Sequence, residues 1–153
     1  VLHAMELATR SGKPIVIADT QDNPGAGGNS DTTGILRALI RHHAQRAVIG
    51  LIVDPEAALA AHAAGVGSTV HLRLGGKSAI PGDAPLDADF VVETLSDGKF
   101  DATGPFYRGF HMDLGPCACL RINDVRVVVA SAKVQLADQA MFRFIGIEPT
   151  EQA

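Results

Sequence analysis

Apolar and polar positions along this chain fall into two textures, and the first half alternates strand-like with helix-like stretches. Pro14 to Ala18 is a continuous apolar run, the pattern of a strand buried on both faces. Ile35, Leu36, Leu39, Ile40 and His43 then recur at three- and four-residue spacing, predicting a helix over 33–45 with one stripe toward the core. Val48 to Val53 predicts a second buried strand. Asp54-Pro55-Glu56 reads as a capping residue with proline at the first helical position. The alanine-rich helix it opens runs to Ala64 and ends at Gly65. Thr69 to Leu74 predicts a third strand. This order implies parallel neighbours at 14–18, 47–53 and 69–74, joined by right-handed crossovers.

Beyond Gly75-Gly76-Lys77 the texture changes. Residues 78–87, rich in proline, glycine and aspartate, read as a loop. Phe90–Leu95 and Lys99–Asp101, separated by Ser96-Asp97-Gly98, predict a hairpin, as do Cys117–Ile122 and Val125–Ala130 around Asn123-Asp124. Asp138 opens a closing helix with Met141, Phe142 and Ile145 as its buried edge, stopped by Gly146 and Pro149. The expected class is α/β, with a three-stranded parallel βαβαβ first half, a mostly antiparallel β second half and a C-terminal helix. Leu2, Met5 and Ala8 fall at helical spacing right behind Val1. That opening reads as mid-helix, so the chain is expected to be a single-domain fragment of a longer protein.

Composition narrows the partners. With 153 residues, 46% of them hydrophobic, the chain is long enough for one globular core. A net charge of −4 without a basic cluster argues against nucleic acid. The longest apolar run, Ala47 to Val53, is far too short to span a bilayer, so no membrane partner is expected. Cys117 and Cys119 lie on one face of a strand, where a mutual disulfide would be strained and two thiols alone make no zinc site. Reduced core thiols are expected, which fits a cytoplasmic location.

The segment from Asp19 to Thr33 concentrates special residues. It follows an apolar run and precedes a helix, the junction at which α/β proteins place ligands. It lacks the lysine of a phosphate-binding Walker loop. Gly25-Ala26-Gly27-Gly28-Asn29-Ser30 puts serine at the third glycine of a dinucleotide fingerprint. Asp19, Asp22 and Asp31 would also repel a pyrophosphate. A cation, a substrate amine or amide, or a partner domain suits the loop better. The plain structural reading is that Asp31 or Ser30 caps the next helix while Asp22 or Asn23 makes an Asx turn. The candidate cleft residues are Asp19, Gln21, Asp22, Asn23, Gly25, Gly27, Gly28, Asp31, Thr32 and Thr33. Asp113 joins them because it alternates with His111 along a predicted strand, although a cross-strand hydrogen bond is the simpler role for His111. His43 is expected at the core edge, with His42 solvated and His62 on the surface.

Ala18-Asp19-Thr20-Gln21-Asp22-Asn23-Pro24-Gly25-Ala26-Gly27-Gly28, followed by Asp31-Thr32-Thr33, resembles the C-terminal domain of the MlrC-like proteins. The resemblance continues through Asp54-Pro55-Glu56-Ala57, Leu74-Gly75-Gly76-Lys77, Leu95-Ser96-Asp97-Gly98 and Met112-Asp113-Leu114-Gly115-Pro116. It implies a zinc-dependent hydrolase of amide or peptide bonds, the family being named for an enzyme acting on linearised microcystin. It also implies that zinc belongs to an N-terminal domain of the same polypeptide, with no cofactor in this one. This domain would then line the cleft for a small peptide-like substrate, its backbone amides and carboxamides holding the substrate or an oxyanion. Asp22 or Asp31 would orient a histidine across the interface. Two other readings stand beside it: a stand-alone module binding a small molecule or anion, and a structural or oligomerising domain. Self-association into a homo-oligomer is compatible with the sequence.

Overall fold

The computed structural model describes residues 1–152. Helix α1 (Leu2–Ser11) is followed by an extended stretch, the loop from Asp19, and helix α2 (Gly34–Arg41). Strand β1 (Ala47–Val53), helix α3 (Pro55–Ala64) and strand β2 (Thr69–Leu74) come next. The second half contains β3 (Leu86–Ser96), β4 (Lys99–Asp101), β5 (His111–Asp113), β6 (Cys117–Ile122), β7 (Val125–Ala130) and the short helix α4 (Ala140–Arg143). Five strands form a sheet in the order β1-β7-β6-β3-β2, while β4 and β5 pair separately. Among the described residues, only β1 and β7 run parallel, and every other pairing is antiparallel.

The mixed α/β class, the largely antiparallel second half, the β6–β7 hairpin and the closing helix are as the sequence predicts. The pairing of the first half is different. Residues 14–18 form no strand, and Val16 is 90% exposed. β1 pairs with β7, and β2 pairs antiparallel with β3 rather than joining β1. An apolar run reports burial but not its neighbour or direction, and the loop at 75–85 turns the chain straight back along β2. The expected β3–β4 hairpin is also absent. β3 ends against β6, with Ser96 opposite Cys117, and Gly98 leads the chain to Leu114, whose N–H donates to the Gly98 carbonyl at 3.0 Å.

Two apolar layers clasp the sheet. β6 and β7 alternate between them, Val127 and Val129 facing one side and Val128 and Ala130 the other. Leu36, Leu39, Ala57, Ala58 and Ala61 of α2 and α3 pack with Leu74, Phe90, Val92 and Leu120 on the first side. The alanines of α3 let the helix sit close to the strands, and Asp54 caps it by accepting from the Ala57 N–H at 3.1 Å. Met141 and Ile145 cover the other side with Cys117, Cys119 and Leu114. His62, expected on the surface, is half-buried with its ring nitrogen 3.0 Å from the Cys117 carbonyl. α2 stops at Arg41, so His43 is exposed and His42 half-buried, the reverse of the expectation.

The register of β3 and β6 shifts between Val92 and Thr94, a bulge that increases the local twist. β1 and β2 are the two edges of the sheet, yet Gly75, just past β2, donates to the carboxylate of Asp54, just past β1, at 2.9 Å. The sheet therefore coils until these corners meet. The loop from Asp19 lies against that junction.

Candidate functional site

Carboxylates organise the junction from within. Asp19 Oδ1 accepts from the N–H groups of Gln21 and Asp22 at 2.9 and 3.1 Å, turning the chain as it enters the loop. Asn23 makes the expected Asx turn, accepting from Gly25 N–H at 2.9 Å and capping the 3-10 turn Pro24–Ala26. Gly28 packs where no side chain fits, since a Cβ there would lie 2.6 Å from the Asn23 nitrogen. Asp22 does most of the bracing. Its Oδ1 accepts from Ser30 N–H at 2.7 Å, and its Oδ2 from the N–H groups of Asp31 and Thr32, both at 2.8 Å. Burial pushes the Asp22 carboxyl up, but the N–H groups of Thr32, Ser30 and Asp31 and the Thr32 hydroxyl outweigh it, leaving the group below the usual carboxylate range.

Asp31 continues the chain of latches instead of capping α2, whose N-cap residue is Thr33. It is buried, and its Oδ2 accepts from the N–H groups of Lys77 and Ser78, each at 2.9 Å, tying the loop to the segment after β2. Thr33 is also buried; its hydroxyl lies 2.8 Å from Asp83 Oδ1 and 2.9 Å from the Ala84 carbonyl, and Arg37 Nε donates to it. Lys77 closes the cluster, its ammonium 2.8 Å from both Asp54 Oδ1 and Glu56 Oε2. Partial burial lowers its proton affinity, but the two carboxylates raise it further, so Lys77 stays a cation.

The structure thus gathers Asp19, Gln21, Asp22, Asn23, Gly25, Gly27, Gly28, Asp31, Thr32 and Thr33 into one braced segment. It does not bring Asp113 to them. That residue lies in the two-stranded β4–β5 sheet, where its carboxylate accepts from Gly115 N–H at 3.0 Å. His111 bonds to Asp101 across β4 and β5, the simpler of its two expected roles. Asp54, Lys77, Asp83 and Arg37 are partners that spacing alone did not assign to this site. The signals were present in Asp54 directly after an apolar run and in Gly75-Gly76-Lys77 at the end of a strand.

The bracing also changes what the loop can offer a ligand. The N–H groups of Gly25, Ala26, Gly27 and Gly28 all bond within the loop, as do those of Ser30, Asp31 and Thr32. They are not free to form an oxyanion hole. The outward groups are side chains, chiefly the carboxamides of Gln21 and Asn29, both on exposed residues. A zinc ion does not fit here: both oxygens of Asp22 and of Asp54 are engaged by N–H groups and Lys77, and the one buried carboxylate oxygen without a partner, Asp31 Oδ1, is a single donor. Among the described residues, no group of three His, Cys, Asp or Glu side chains is placed to hold a metal. No helix among them is long and apolar enough to cross a membrane.

Fold and loop together define an α/β domain with a coiled mixed sheet, whose corners carry a carboxylate-braced glycine loop. The chain belongs to the MlrC C-terminus family, which matches residues 17–153. It is 29% identical over 139 residues to Microcystinase C of Sphingomonas sp, an alignment covering 91% of this chain and 27% of that protein. A crystal structure from Mesorhizobium sp. BNC1, described as a candidate metallopeptidase, superposes with a TM-score of 0.89 at 29% identity. That match covers 98% of this chain and 30% of the other. The chain therefore spans under a third of the length of either relative.

Proposed function

We propose that this domain forms one wall of the cleft of a zinc-dependent hydrolase of peptide or amide bonds, the metal ligands belonging to an upstream domain of the same polypeptide. The observation that carries this reading is the rigid braced loop with outward carboxamides, found in a chain related to a microcystinase and a candidate metallopeptidase. Zinc would polarise the scissile carbonyl and lower the pKa of its water, work that needs about three protein ligands and an open position. This chain contributes position. Asp22, Asp31 and Thr33 hold the loop, and Gln21 and Asn29 present amide donors and acceptors to a small peptide-like substrate, of the linearised-microcystin type or a related compound. A wall preset in this way reduces the ordering cost of binding.

Gln21 gives the cleanest test. Its side chain makes no hydrogen bond with other described residues, so removing it does not disturb the brace. In the full polypeptide, Gln21→Ala should lower kcat/KM toward a linear peptide by about tenfold, a barrier change of about 1.4 kcal/mol, with the melting temperature unchanged. Turnover should also vanish on chelation and return with zinc. Unchanged kcat/KM in both Gln21→Ala and a Gln21→Ala/Asn29→Ala double variant would remove the loop from the cleft.

A further inference from the structure

The stretch Pro14–Ala18 has the sequence of a buried strand, but the described chain only half-buries Pro14 and Ile15 and leaves the rest exposed. Val16 is 90% exposed and Ile17 45%. Beside it the sheet ends on β1, which has β7 on one side and, among the described residues, no strand on the other: Ser30 holds the Leu51 carbonyl and the Val53 N–H there, and the edge before them, around Val48, pairs with nothing. Between the two lies a groove of about 270 Å³, lined by Val16 and Ile17 on one wall, Met5 of α1 at its end, and Val48 and Ile49 of β1 on the other. Its acidic lining is confined to Asp19 and Asp22, where the braced loop begins. An unpaired sheet edge next to an apolar trough is the geometry that accepts an added strand. Apolar exposure of this kind on a domain marks a contact surface.

We propose that this groove seats an extended apolar segment of the upstream domain carried by longer members of the family, which covers Val16 and Ile17 and pairs with the open N-terminal part of the β1 edge, around Val48. Two observations select that occupant. The matched region is 27% of Microcystinase C and 30% of the Mesorhizobium chain, and it is the C-terminal region of the family, so most of each relative lies upstream. The groove is also walled by α1 and by residues 14–17, the part of this chain nearest in sequence to that upstream region. The docked segment would end beside Asp19 and Asp22, setting the upstream domain against the braced loop. The inference rests on the proposed two-domain hydrolase and names the face through which its halves meet.

Thiol labelling of the full polypeptide tests it. Cys117 and Cys119 are buried, and burial pushes their thiols up to about 11 and about 12, so they form a silent background. In Val16→Cys the new thiol should react with a maleimide at least about tenfold more slowly than in Val66→Cys, a control on a residue that is itself exposed. The slow rate should be independent of protein concentration. Labelling of Val16→Cys at the control rate overturns the proposal. Protection that disappears on dilution also overturns it, since the occupant would then be a second copy. Peptide hydrolysis measured on the same samples separates the two claims. Turnover with Val16→Cys freely labelled defeats only the docking face, whereas protection without any hydrolysis defeats only the enzyme reading.

Discussion

Replacing Asp22 with alanine should loosen the whole loop, and the structure sets the size of the effect. The carboxylate accepts three backbone N–H groups at 2.7–2.8 Å, from Ser30, Asp31 and Thr32. Bonds to a charged acceptor contribute about 1.5–3 kcal/mol each, and their simple sum would be a large share of a domain's stability. Asp22 is only half-buried, however, so water re-enters and re-solvates much of what the variant frees. We expect a net loss of about 2–3 kcal/mol. For a domain of this length that corresponds to a melting temperature lower by roughly 6–9 °C. Asp22→Asn should recover little, because both carboxylate oxygens face donors and one would become an amide that cannot accept. The difference also carries a pH signature. The Asp22 carboxyl lies below its usual value when folded, so its contribution is complete above the ordinary carboxylate pKa and is lost as pH falls through the folded one. The gap between wild type and variant should therefore stay constant from pH 7 to about pH 5 and begin to narrow below about pH 4. Calorimetric scans from pH 3 to 7 read all of this. A drop of less than about 1 °C at pH 7 would show that the loop does not depend on its brace.

Asp54 is buried and serves the Ala57 N–H, the Gly75 N–H and the Lys77 ammonium together, so Asp54→Ala should cost about 3 kcal/mol in urea unfolding. Lys77→Met, which leaves both N–H bonds intact and removes a cation 36% exposed, should cost under about 1 kcal/mol; a larger loss than Asp54→Ala would reverse the hierarchy argued here. Gly75 has φ +59, and a Cβ there would lie 2.5 Å from the Asp31 carbonyl oxygen, so Gly75→Ala should destabilise by at least about 2 kcal/mol. Cys117 and Cys119, with thiols pushed up to about 11 and about 12 by burial, should stay unreactive toward a chromogenic disulfide at pH 7 until denaturant unfolds the chain. Stoichiometric labelling of the native protein would refute their placement in the core.

Local signals settle a good part of this protein. The cap at Asp54, the helix Pro55–Ala64, the hairpin joining β6 to β7 and the Asx turn at Asn23 all depend on neighbours within a few residues. The motif Asp19–Thr33 likewise marks the loop and the family. Pairing is decided elsewhere. The run Ile15–Val16–Ile17 looks like Val48–Val53 in sequence, but only the latter finds a strand beside it, and that strand comes from more than seventy residues later. The same distance hides the site's logic. Asp31 reads as a helix cap until the coiled sheet brings Lys77 and Ser78 to its carboxylate, and Asp54 reads as a cap until Gly75 and Lys77 arrive at its second oxygen and its first. A carboxylate's chemistry is set by the donors around it, and these donors are chosen by chain segments that meet only when the sheet coils.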